Sequence, residues 1–168
     1  GGKNALIAFP DADPATVASA VIGGMNFTWC GQSCGSTSRA FIHRDIYEDV
    51  LSRLPSLAGH YVPGLPTDDR TTMGAIISRQ QHARVLEYIA SAKEQGARLI
   101  TGGAAPTDPA LTKGFYVEPT IFADVTPTMR IAREEIFGPV LAVLPWDDET
   151  KMLGQVNDVE YGLTCSIW

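Results

Sequence analysis

Short apolar runs separated by amphipathic stretches of helix length dominate the 168-residue chain. That alternation leaves few architectures open. An apolar run with no hairpin turn after it must find its pairing partner elsewhere. A helix between two such runs is the crossover that parallel pairing requires. Ala5 to Phe9 is the first run, closed by Pro10. Asp13-Pro14 then reads as an N-cap followed by proline at the first helical position, with Val17, Ala20 and Val21 at helical spacing and Gly23-Gly24 as the stop. Arg39 to His43 reads as a strand, and Asp45 with Glu48 as a capping box ahead of a stripe of Ile46, Val50, Leu51 and Leu54. Ser78 to Glu94 is the strongest helix, with Ala83, Leu86, Ile89 and Ala90 on one face and Gly96 beyond its end. Further strands are expected at Arg98–Thr101, Phe115–Phe122 (interrupted by Pro119), Val140–Trp146 and Gly162–Trp168, with a helix over Asp148–Val156. The expectation is an α/β fold of three layers, a mostly parallel sheet with helices on both faces.

Other classes drop out on composition. The chain is 45% hydrophobic and 19% charged, as an ordinary globular domain is, so disorder, collagen and coiled coil are excluded. A net charge of −6 disfavours a nucleic-acid surface, which needs clustered Lys and Arg. No apolar run has the ~18 residues of a membrane span, and the first residues given show no basic-then-apolar signal-peptide pattern. Three cysteines are too few and of the wrong parity for a disulfide framework, which points to a reducing, cytoplasmic setting.

The segment Phe27-Thr28-Trp29-Cys30-Gly31-Gln32-Ser33-Cys34-Gly35-Ser36-Thr37-Ser38-Arg39 follows neither a helical nor a strand period. Polar loops on a rigid scaffold are where reactive groups are placed. An ordinary thiol has a pKa near 8.5 and needs help to ionise at neutral pH, and glycines beside Cys34 free nearby N–H groups to face it. Against this stands the commonest fate of a free cysteine, a small buried hydrophobe, which is the reading adopted for Cys165 inside its apolar run. Metal ligation by Cys30 and Cys34 lacks a second Cys or His pair, so no metal is expected. A cysteine hydrolase remains an alternative, although it needs a histidine downstream of the nucleophile and none follows His82. So does a non-catalytic domain with an inert thiol. A second cluster, Arg133-Glu134-Glu135-Ile136-Phe137-Gly138-Pro139, reads either as a solvated turn or as a carboxylate that accepts from sugar hydroxyls.

Five segments in order resemble motifs of the aldehyde dehydrogenase superfamily. Gly1-Gly2-Lys3 resembles the end of E-L-G-G-K, and Gly31-Gln32-Ser33-Cys34 with Ser38-Arg39 resembles G-Q-x-C…S-R. Gly114 to Thr120 resembles G-x-[FY]-x-x-P-T, Glu134 to Val140 resembles E-E-[IV]-F-G-P-V, and Asn157 to Leu163 resembles N-x-x-x-Y-G-L. The resemblance spans the chain. It implies NAD- or NADP-dependent oxidation of a small-molecule aldehyde to a carboxylic acid. Cys34 would attack as thiolate, its own N–H would receive the oxyanion, and a thioester would be hydrolysed. It further implies that Glu135 binds the nicotinamide-side ribose, that Phe137 lies beside the nicotinamide, and that Phe27, Thr28 and Ser33 line the substrate tunnel.

Where the family reads N-x-G-Q, this chain has Trp29-Cys30 before Gly31-Gln32, which alters the pocket rather than the nucleophile. The family's general base, the Glu of E-L-G-G-K, would lie just before Gly1, and the dinucleotide-binding domain earlier still. The chain therefore reads as one catalytic domain, residues 1–168, cut at both ends and without turnover by itself. Its parent would be a homodimer or homotetramer.

Overall fold

The computed structural model describes all 168 residues. In chain order it contains β1 (Ala5–Ala8), α1 (Pro14–Gly24), β2 (Arg39–His43), α2 (Arg44–Ala58), α3 (Arg79–Glu94), β3 (Arg98–Thr101), β4 (Thr120–Ala123), α4 (Arg130–Arg133), β5 (Val140–Trp146), α5 (Glu149–Asn157) and β6 (Cys165–Ile167). The six strands form one sheet in the order β3-β4-β5-β2-β1-β6. Every pair is parallel except β3 with β4 at one edge. The expected architecture is therefore present. The β1-to-β2 and β5-to-β6 connections run in opposite directions along the sheet, and right-handed crossovers then place α1 and α5 on opposite faces. Helix α2 packs on α1.

Burial explains why β1 and β5 read as unbroken apolar runs and why β2 has Ala40, Phe41 and Ile42 in a row. All four residues of β1 are buried, as are Arg39 to Ile42 and Val140 to Leu144, because helices cover both sides. One cluster of 43 buried residues joins the sheet to the inner faces of α1, α2 and α3.

Local chemistry fixes the helix starts. Asp13 accepts from the Thr16 N–H at 2.8 Å with Pro14 at the first helical position, as the sequence indicates. Ser78 caps α3 by accepting from Gln81, and Asp148 caps α5 by accepting from Lys151. The start of α2 differs from the expectation. Strand β2 runs into this helix with no linker, so His43 is the cap: its Nδ1 accepts from the Asp45 N–H at 3.2 Å, and Asp45 lies inside the first turn.

Three other expectations are corrected. In α3 the buried face is Val85, Tyr88, Ile89 and Ala92, while Ala83 and Ala90 are exposed. Tyr88 turns the helix: its ring is fully buried and its hydroxyl donates to Glu134 at 2.7 Å, which a count of aliphatic positions misses. Of Phe115–Phe122, only residues from Thr120 onward pair in the sheet, since Pro119 donates no ladder bond. Tyr116 and Val117 are nonetheless buried. The last strand is confined to Cys165–Ile167, and as an edge strand it leaves Cys165 exposed rather than buried.

Candidate functional site

The loops that gather the expected site residues all lie at the amino ends of parallel strands. Residues 1–4 lead into β1, 25–38 into β2, 134–139 into β5 and 158–164 into β6. Ligands in open α/β sheets usually bind at the opposite, carboxyl ends. Here aromatic rings meet edge to face at those ends: Phe9 with Trp146 at 5.2 Å and His43 with Trp146 at 4.7 Å.

The loop into β2 has an unusual backbone. Asn26, Cys30 and Gly31 all adopt left-handed φ of 57°, 58° and 63°, and a short 3₁₀ turn at Phe27–Trp29 lies between the first two. At Gly31 a side chain would also run into the Gly138 carbonyl, so the loop into β2 and the loop into β5 pack backbone to backbone. Cys30 is buried and its Sγ donates to the Gly74 carbonyl at 3.1 Å. Burial pushes its thiol up to about 11, an inert anchor. The Gln32 Oε1 accepts from the Ile77 N–H at 3.0 Å, tying the same loop to the segment before α3.

Cys34 is different. A turn closed by the Ser36 N–H on the Ser33 carbonyl places Cys34 and Gly35 at its tip, with the Cys34 thiol exposed. The Ser33 hydroxyl accepts from the Gly35 N–H at 3.3 Å. The Cys34 N–H donates to no group of the chain, as expected for the first central residue of such a turn. Beneath the turn, Asn4 donates to the Cys34 and Ser36 carbonyls. Nothing in the composition or spacing singles out Asn4. It is found only once β1 lies beside β2.

The two acids of the loop into β5 separate cleanly. Burial works against the charge of Glu134, but the Tyr88 hydroxyl and the Arg130 guanidinium outweigh it and hold its carboxyl below the ordinary value. Glu134 is thereby committed to structure. Glu135 is half-buried and accepts from the Gly2 N–H at 2.7 Å. Phe137 has a left-handed φ of 56° and an exposed ring. Gln81 holds this backbone by donating to the Ile136 and Phe137 carbonyls at 2.8 and 3.0 Å, and Arg84 donates to the Glu135 carbonyl. Gly2, Gly31, Ser33, Glu135 and Phe137 line one narrow cleft.

The three expected tunnel residues part company. Ser33 lines that cleft, and Thr28 lines a separate open groove of about 750 Å³ with Thr71, Met73 and Tyr116. Phe27 is fully buried against Tyr61, so its ring supports the loop from within and lines neither hollow. Two of the three histidines are occupied elsewhere, and His60 is exposed. His43 caps α2 at the far end of β2, and His82 Nε2 bonds the Tyr116 carbonyl at 3.0 Å. No helix is long and apolar enough to cross a membrane.

Beside the site, Lys3 is buried and its Nζ has no hydrogen-bond partner. Burial, then the Arg39 charge, pushes its ammonium down to about 7 against the opposing pull of Glu135 and Glu134.

The aldehyde dehydrogenase family model matches residues 1–168. The chain belongs to the aldehyde dehydrogenase family. It is 59% identical over its whole length to the aldehyde dehydrogenase tropH of Talaromyces stipitatus, covering 33% of that protein. It is 44% identical to the betaine aldehyde dehydrogenase of Brucella ovis, covering 34% of it. The crystal structure of a Mycobacterium tuberculosis aldehyde dehydrogenase complexed with NAD⁺ superposes on the whole chain with a TM-score of 0.92 at 39% identity, covering 34% of that chain. The chain thus spans about a third of the length of these aldehyde dehydrogenases.

Proposed function

We propose that residues 1–168 are the nucleophile-bearing catalytic part of an enzyme that oxidises an aldehyde to a carboxylic acid with NAD or NADP. The observation that carries this reading is the Cys34 turn, an exposed thiol whose own backbone N–H is left without an acceptor. Sulfur adds to the aldehyde carbon, and the oxygen that gains charge needs a donor already in place. The free Cys34 N–H is such a donor. The thioester that remains on Cys34 after oxidation is hydrolysed by water.

Glu135 and Phe137 border the cleft between the two loops, and a carboxylate is the kind of acceptor that sugar hydroxyls use. Glu135 offers a half-buried carboxylate, and Phe137 presents an apolar ring held outward by its own backbone and by Gln81. When bound, NAD(P)⁺ supplies the hydride acceptor. The chain's part is to seat it through Glu135 and Phe137, while Ser33 and Thr28 shape the approach of the aldehyde. The remaining coenzyme contacts, the general base and the subunit contacts of a homodimer or homotetramer belong to parts of the parent protein outside these residues. A positioned base contributes about 10²–10⁴-fold, so residues 1–168 alone should not turn over.

Two experiments test this. In the whole protein, Cys34→Ser is expected to lower NAD(P)H production from aldehydes by about 10³-fold or more without lowering the melting temperature. In the wild type, iodoacetamide should label Cys34 faster than Cys165, which is also exposed, as read by peptide mass spectrometry. Equal labelling with a fully active Cys34→Ser protein would remove the nucleophile from this turn. Rapid cleavage of activated esters without coenzyme would favour a cysteine hydrolase instead.

A further inference from the structure

The Cys34 carbonyl points inward. It accepts from Asn4 Nδ2 at 2.7 Å, and the same nitrogen donates to the Ser36 carbonyl at 2.9 Å. Asn4 Oδ1 accepts from the Thr164 N–H at 3.2 Å. Asn4 is only 4% exposed, and both hydrogens of its amide nitrogen are used. Gly2 makes a second, independent observation: a side chain there would collide with the Cys34 carbonyl oxygen. A bare residue on one side and a double donor on the other thus form a fitted seat for one peptide plane.

We infer that Asn4 is a positioning residue for Cys34, holding the Cys34–Gly35 peptide so that its carbonyl faces the protein while the thiol and the Cys34 N–H face the substrate. The inference rests on the reading of Cys34 as nucleophile. Gly35 adds no side-chain restraint to that peptide, so without Asn4 only the long 3.3 Å bond from the Gly35 N–H to the Ser33 hydroxyl opposes its rotation. A rotated plane turns a carbonyl oxygen toward the place where the substrate oxygen gains negative charge. An acceptor there opposes the transition state that a donor would stabilise. Asn4 touches no reacting atom and acts through the backbone of the residue that does.

The test uses the whole protein and two variants. Asn4→Asp keeps an oxygen for the Thr164 N–H and replaces the double donor by an acceptor facing two carbonyls. Asn4→Ser keeps one donor. In Asn4→Asp, kcat for aldehyde oxidation and the iodoacetamide rate constant of Cys34 are expected to fall together by about ten- to a hundredfold, while Cys165 labelling stays at the wild-type rate. Asn4→Ser should recover part of both. An Asn4→Asp protein that melts like the wild type and keeps both rates within about twofold overturns the inference. So does a loss shared equally by Cys34 and Cys165, which would mark a general structural role. If Asn4→Asp does not fold, Asn4→Ser decides alone, and a wild-type rate in that variant is the overturning result. Failure of the nucleophile assignment itself shows up in the unmutated protein, as Cys34 labelling no faster than Cys165 and no turnover.

Discussion

At the carboxyl ends of β1, β2 and β5 the chain packs aromatic rings, whereas at their amino ends it packs peptide groups. Phe9, His43 and Trp146 meet edge to face above one end of the sheet. At the other, Asn4, Gln81 and Arg39 spend their donors on backbone carbonyls. Arg39 alone reaches Lys3 at 2.9 Å and the Gln155 and Val156 carbonyls at 3.3 and 2.9 Å, capping the last turn of α5. Rings seal by excluding water. Amide and guanidinium donors hold loops in fixed orientations and leave neighbouring N–H groups free. The turn that carries the exposed Cys34 is of the second kind of construction, and it sits at the amino end although ligands in open α/β sheets favour the other.

That contrast can be broken by substitution, starting with the largest expected effect. Trp146→Ala removes the central ring of the carboxyl-end cluster and should cost about 3–5 kcal/mol in urea unfolding. The iodoacetamide rate of the remaining folded protein should be unchanged, and a slowed Cys34 would show that the two ends are coupled. Arg39→Met should cost about 2–3 kcal/mol, because it leaves the buried Lys3 carbonyl and two part-buried carbonyls unpaired. Its effect should appear first as faster amide exchange in α5.

Lys3 sharpens the comparison through pH. Its folded-state ammonium lies near 7, while an unfolded lysine titrates near 10.4. Below about pH 7 both states hold the proton and the burial cost is constant. Above it the unfolded chain still binds a proton that the folded one has released, so stability rises with pH. Urea midpoints should therefore climb between pH 7 and 8.5 in the wild type and stay flatter in Lys3→Met. The window stops there because the Cys30 thiol, pushed up to about 11, makes stability fall with pH once unfolded thiols ionise. The smallest change is expected for Asp13→Ala, remote from both ends of the comparison. Loss of that cap should cost about 1 kcal/mol in thermal melts and leave Cys34 untouched.

Much of this was legible in the sequence. Asp13-Pro14 marked the start of α1, and continuous apolar runs marked β1 and β5 because two-sided burial leaves no polar alternation to read. Cys34 stood out because Gly31, Gly35 and hydroxyl residues cannot sustain a core there. The helix face around Tyr88 was not legible, since an aromatic with a polar tip counts as neither inside nor outside until its hydroxyl finds Glu134. Nor was the exposure of Cys165, which depends on its strand being last in the sheet order.

The sequence alone determined the alternation of strands and helices, the cap of α1, and the residue types available for chemistry, all of which depend on near neighbours in the chain. Only the tertiary structure decided what lies 30 or 130 residues away. It set Asn4 under Cys34, the Gly2 N–H on Glu135, and Gly31 against Gly138. The reason is physical: a hydrogen bond has a strict length and direction, and partners far apart in the chain meet that requirement only after the strands have paired in one register.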